Sequence, residues 1–111
     1  MIEKIVRDYL KELVSVPVYI DVPANPEDSY IVLERTGGGM EEHIRNAMVA
    51  IQSYSDSKLG AATLHETILS VMPALAEKDE IAACDINSEY NFTDTSTKKY
   101  RYQAVFDIIY Y

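Results

Sequence analysis

The stretch from Tyr100 to Tyr111 alternates with a period of two, and that run constrains the architecture more than any other. Tyr100, Tyr102, Ala104, Phe106, Ile108 and Tyr110 share one face. Arg101, Gln103, Val105, Asp107, Ile109 and Tyr111 share the other. A strand this long with a mostly apolar face belongs in a sheet, and something else in the chain must cover that face. Two helical patterns supply the cover. Ile2, Ile5, Val6, Tyr9, Leu10, Leu13 and Val14 fall at helical spacing, and Pro17 stops that helix. From Ser57 to Ala76 a second stripe carries Leu64, Ile68, Val71, Met72 and Leu75, with Asp56 or Ser57 as N-cap and Pro73 ending or kinking the last turn.

Four further strands lie between and after these helices. Val18 to Val22 alternates, and Tyr30 to Thr36 is a β-branched run. The triplet Gly37, Gly38, Gly39 is expected to end that strand as a mobile connection. Residues 43–54 fit either a helical stripe or a strand, and a strand suits the glycine-rich turn before them. Ile81 to Tyr90 reads as a strand with Ala82, Cys84 and Ile86 on one face and Asp85, Asn87 and Glu89 on the other. Asn91 to Thr97 is turn-like. The expected fold is α+β: a mostly antiparallel sheet of about five strands with two helices packed on one face. Residues 1–111 form a single domain in this reading, since neither a repeat nor a linker divides them.

Composition narrows the function. Lys and Arg total 10 against 18 Asp and Glu, a net charge of −8. That balance argues against nucleic-acid binding, which needs clustered positive charge, and against anionic membranes. No run approaches the roughly 18 apolar residues that span a bilayer. Met1 to Ile5 carries early charges and no apolar h-region, so residence in a reducing cytoplasm is expected. The single cysteine, Cys84, excludes a disulfide within the chain.

The search for reactive chemistry returns little. Glu41, Glu42 and His43 are adjacent, and neighbours on an extended segment point to opposite faces, so they do not converge on a metal. His65 has Leu69 at i+4 in place of a second ligand and reads as structural. Cys84 sits on an apolar face beside Asp85, which gives a nucleophile no activating base. Asp85 and Asp94 have no partner that spacing identifies, and the triple glycine lacks a phosphate-loop pattern. No catalytic residue, metal or cofactor is expected. What stands out instead is nine tyrosines with no tryptophan. Tyrosine suits surfaces that are wet in one state and buried in another. The face bearing Arg101, Val105, Ile109 and Tyr111 mixes apolar and charged groups, which marks it as a candidate assembly surface.

Three strings carry a resemblance: Tyr30-Ile31-Val32-Leu33-Glu34-Arg35-Thr36-Gly37-Gly38, Ile51-Gln52-Ser53-Tyr54-Ser55, and Tyr90-Asn91-Phe92 with Tyr100-Arg101-Tyr102-Gln103. With the order of elements and the length, they resemble the small tail terminator, or tail completion, proteins of long-tailed bacteriophages. The resemblance implies a structural virion protein that forms a ring of about six copies of itself at the head-proximal end of the tail tube. There it would end tube growth and contact a tail tube protein and a head connector protein. It implies a place in the bacterial host cytoplasm during assembly and in the virion tail afterwards, with no cofactor. Other short acidic head–tail joining proteins share this size, and the strings do not separate those roles. Gly37, Gly38, Gly39, Glu41 and Glu42 are the candidate partner loop, expected to be mobile until a partner orders it. The alternative, from a different class, is a small dimeric ligand-binding or regulatory α+β domain.

Overall fold

Helix α1 (Ile2–Lys11) buries Ile2, Val6 and Leu10, one residue per turn along a single stripe, and exposes an i,i+4 ion pair of 2.9 Å between Lys4 and Asp8. In this computed structural model, residues 1–94, 96–97 and 99–111 are described; Thr95, inside the expected Asn91–Thr97 turn, and Lys98 lie outside them. After α1 the chain passes Pro17 into a short strand, β1 (Val18–Tyr19), less than the expected Val18–Val22. Strands β2 (Tyr30–Glu41) and β3 (Ile44–Ser55) form a hairpin. Helix α2 (Lys58–Val71) follows, then a 3-10 helix (Met72–Glu77), β4 (Ile81–Asn91) and β5 (Tyr100–Tyr110).

The fold is α+β, with helices packed against a five-stranded mixed sheet in the order β1-β2-β3-β5-β4. Only the β1–β2 pair is parallel. β5, last in chain order, inserts between β3 and β4 and pairs with each over nearly its whole length. The core lies between the sheet and the helices. Ile31, Leu33, Val49, Ile51, Phe106 and Ile108 meet Val6, Leu10, Ile68, Met72 and Leu75 there. Ser57 caps α2, its Oγ accepting from the Gly60 N–H at 2.9 Å. Pro73 falls in the first turn of the 3-10 helix, where its missing N–H is harmless, so the regular helix stops at Val71. The Tyr9 hydroxyl donates to the Val71 carbonyl at 2.6 Å, tying α1 to the end of α2. Contrary to the expectation that no run approaches the spanning length, α2 and the 3-10 helix together make one segment, Lys58–Glu77, of 20 helical residues, long and apolar enough by composition to cross a membrane. Here its Ala61, Ile68, Met72 and Leu75 are buried in the core.

The triple glycine does not end β2. Gly37, Gly38 and Gly39 pair with Met48, Ala47 and Asn46, and the strand continues to Glu41. The bend is made by Glu42 and His43, at φ 51° and 69°. Between the paired residues Glu41 and Ile44 this is a two-residue turn with both centres left-handed, the type that matches strand twist. Glycine is needed at Gly38, where φ is +146° and an added Cβ would meet the Asn46 carbonyl oxygen at 2.3 Å. Left-handed backbone costs about 1–2 kcal/mol at a residue with a Cβ. Replacing Glu42-His43 by Asn-Gly is therefore expected to stabilise the protein by about 1 kcal/mol or more. A urea midpoint that rises with unchanged slope would show this, and an unchanged midpoint would contradict the turn assignment.

Candidate assembly surface

Register assigns the side chains of the sheet's second face, the one without helices, to cross-strand rows. From one end they run Tyr30–Tyr54–Arg101, then Val32–Gln52–Gln103–Tyr90, then Glu34–Ala50–Val105–Ser88. The last two are Gly37–Met48–Asp107–Asp85 and Gly39–Asn46–Ile109–Ala83. This face divides into a half that satisfies itself and a half that does not.

In the first half, side chains close a network across β3, β5 and β4. Arg101 Nη1 donates to the Tyr54 hydroxyl at 2.9 Å, and that hydroxyl donates to Gln52 Oε1 at 3.1 Å. Gln52 Nε2 donates to Gln103 Oε1 at 2.7 Å, and Gln103 Nε2 donates to the Tyr90 hydroxyl. The Arg101 guanidinium also lies 4.3 Å from the Phe92 ring centroid, and Tyr30 stacks on Tyr54 at 4.7 Å. Arg101 is therefore committed to its own fold and is not a free cation for a partner. Val105 is corrected likewise. It is only 7% exposed. Its row neighbours Ala50 and Ser88 are small, so the larger Met48, Gln52 and Tyr90 of adjoining rows screen it.

The second half lies at the hairpin end. Ile44, Met48 and Ile109 are exposed apolar side chains there, with Ile109 at 40%, and Tyr111 just past β5 is 67% exposed. A depression of about 470 Å³ is lined by Gly38, Ala47, Met48, Asp107 and Ile109. A second, of about 300 Å³, shares Asn46 and Ile109 and is rimmed by Glu41, Glu42 and Arg45. Asp85 and Asp107 stand directly opposite each other on β4 and β5, a like-charge pairing that opposes sheet formation, with Asn87 Nδ2 donating to Asp107 Oδ2 at 3.1 Å. Of the candidate residues, Arg101 is half-buried within its network, Val105 is buried, and Ile109 and Tyr111 are exposed. Glu41 and Glu42 are exposed beside them, at the tip of a paired hairpin instead of in a mobile loop.

The other candidates fall elsewhere. His65 is buried against the sheet, its Nε2 2.9 Å from Glu89 Oε1, while its Nδ1 has no partner among the described residues. Glu89 was expected on the opposite face. A bulge between Ile86 and Ser88 shifts the phase of β4, so Asn87 is the extra residue and Glu89 turns toward the helices. Asp94 is likewise not isolated. The Ser96 hydroxyl and amide both donate to its Oδ1, and those bonds hold its carboxyl below the usual range. Among the described residues, no group of three or more His, Cys, Asp or Glu is placed to hold a metal ion.

Cys84 is buried on the helix side, and desolvation, with the Asp85 charge second, pushes its thiol up to about 12. Burial raises the Tyr9 and Tyr30 hydroxyls as well. Because all three release protons more readily when unfolded, stability is full below about pH 9 and falls as pH rises toward 12. Iodoacetamide at pH 8 is expected to leave Cys84 unmodified in the native protein and to label it in denaturant. Rapid native labelling would show that the strand face is open.

No protein-family model matches the chain, and no curated protein is significantly similar to it. The functional reading therefore rests on the strings of the sequence and on the geometry of this face.

Proposed function

We propose that this protein is a structural subunit of a long-tailed bacteriophage or prophage virion, a tail terminator that assembles with copies of itself into a ring. The observation that carries the reading is the half-face of Ile44, Met48 and Ile109, exposed on a sheet side that no helix covers. The resemblance of Tyr30–Gly38, Ile51–Ser55 and Tyr100–Gln103 to that family adds the place of the ring, between tail tube and head connector. The work done is binding: a tube protein meets one side of the ring, a connector protein the other, and no bond is made or broken. Assembly would take place in the host cytoplasm, and the ring would remain in the virion tail.

Energetics set the conditions. Copies of charge −8 repel one another, at about 1 kcal/mol for a close like-charged pair in water. Apolar burial at about 25 cal/mol per Å² exceeds this once several hundred Å² is covered. Salt is then expected to promote the ring, since screening acts over about 8 Å at physiological strength. Light scattering across protein and salt concentrations tests this. A species near six copies that grows with salt supports the terminator. A monomer or dimer at all concentrations supports the small ligand-binding or regulatory domain instead.

A further inference from the structure

We propose that the depression between Met48 and Ile109 receives Leu59 of a second copy of this chain, with Lys58 of that copy meeting Asp107. The proposal rests on the ring reading above and names the contact that builds it. Leu59 is 78% exposed, the most exposed of the large apolar side chains. Its own fold does not use it, because α2 buries Ala61, His65 and Ile68. Its position is fixed all the same: it stands in the first turn of α2, which Ser57 caps through Gly60. A rigid, exposed leucine is a knob without a hole in its own chain.

The hole lies well apart from it on the same molecule. Strand β3 runs from the hairpin end at Ile44 to Ser55, and α2 begins at Lys58. From Met48 to Ser55 the strand covers about 23 Å, at roughly 3.3 Å per residue. The molecule itself is 44 Å long. A knob and a hole on different surfaces of one chain give a head-to-tail contact, which repeats from copy to copy and closes into a ring when the rotation allows. Charge agrees with shape. Asp107 faces Asp85 across the strands, and Lys58 makes no ion pair among the described residues. One exposed pair contributes no more than about 1 kcal/mol, so it orients the contact while apolar burial holds it. Screening by salt then removes more repulsion than attraction.

Two variants, Leu59→Cys and Met48→Cys, test the contact when mixed and treated with a short bismaleimide. The buried Cys84 does not compete at neutral pH. The expected product is a dimer joining one chain of each kind, with little from Leu59→Cys alone. This readout needs only the pairwise contact and no closed ring. A mixed dimer without any large species would keep the contact and remove the ring. A large wild-type species without the mixed dimer would keep the ring and overturn the contact, and absence of both would overturn both. Charge exchange gives a second measure. Lys58→Asp and Asp107→Lys are each expected to weaken association about fivefold, and the double variant to restore it. A double variant no better than either single one would overturn the pairing of Lys58 with Asp107.

Discussion

Gly38→Ala is expected to destabilise the monomer by about 3 kcal/mol or more. The added Cβ would sit 2.3 Å from the Asn46 carbonyl oxygen and 2.9 Å from the Ala47 Cα, both backbone atoms that cannot swing aside. The φ of +146° adds strain of its own, since residues with a Cβ avoid that region. Gly39→Ala is the control: the nearest atom to its Cβ is Asn46 Oδ1 at 3.8 Å, an ordinary contact. Chemical unfolding of the two variants separates them. Equal stability would mean that β2 does not continue through Gly38, and the glycines would then be the mobile connection that their composition suggests.

Ile109→Asp is expected to act on the proposed assembly instead. Ile109 lies on the uncovered face, opposite Asn46, where a carboxylate stays solvated in the single copy and costs it about 1 kcal/mol at most. Burial against another copy removes that solvation, places the charge two residues from Asp107, and leaves it unpaired. If the wild type forms the proposed ring, the variant is expected to remain as single copies with an unchanged circular dichroism spectrum at the same concentrations. If light scattering finds the same large species in the variant, the interface lies on another face.

Much of the fold is legible in the residues because its elements are long and strictly periodic. β5 declares both its faces through its alternation, and α1 declares its stripe up to the stop at Pro17. The misreadings have local causes. A run of glycines looks like a loop because composition records conformational freedom but not the pairing partner, and Gly37 to Gly39 find theirs in Asn46 to Met48. The true turn, Glu42-His43, carries no Asn-Gly signature and adopts its backbone because the paired strands on both sides impose it. In β4 the alternation is sound only from Ala83 to Ile86, because extra residues at Ala82 and Asn87 exchange the faces on either side, so that Ile81 and not Ala82 is buried with Cys84. The candidate surface was half legible. The alternation identifies Ile109, but Met48, Ile44 and the Asp85–Asp107 pair come from other strands and need the register to be placed beside it. Val105 and Arg101 share the face with Ile109, and only the neighbouring rows reveal that Val105 is covered and that Arg101 is engaged by its own chain.

The insertion of β5 between β3 and β4 has a consequence for the order of events during synthesis. Until Tyr100 to Tyr110 leave the ribosome, β3 lacks one neighbour and β4 has none, so the core can close only once β5 has emerged. A polypeptide interrupted before Tyr100 would display two unpaired strand edges and a bare helix layer, the kind of species that proteases and chaperones remove. The same delay withholds Asp107 and Ile109 from any sibling chain until the whole domain exists. Premature or damaged copies would then lack the means to enter an oligomer in which one faulty member would spoil all the others.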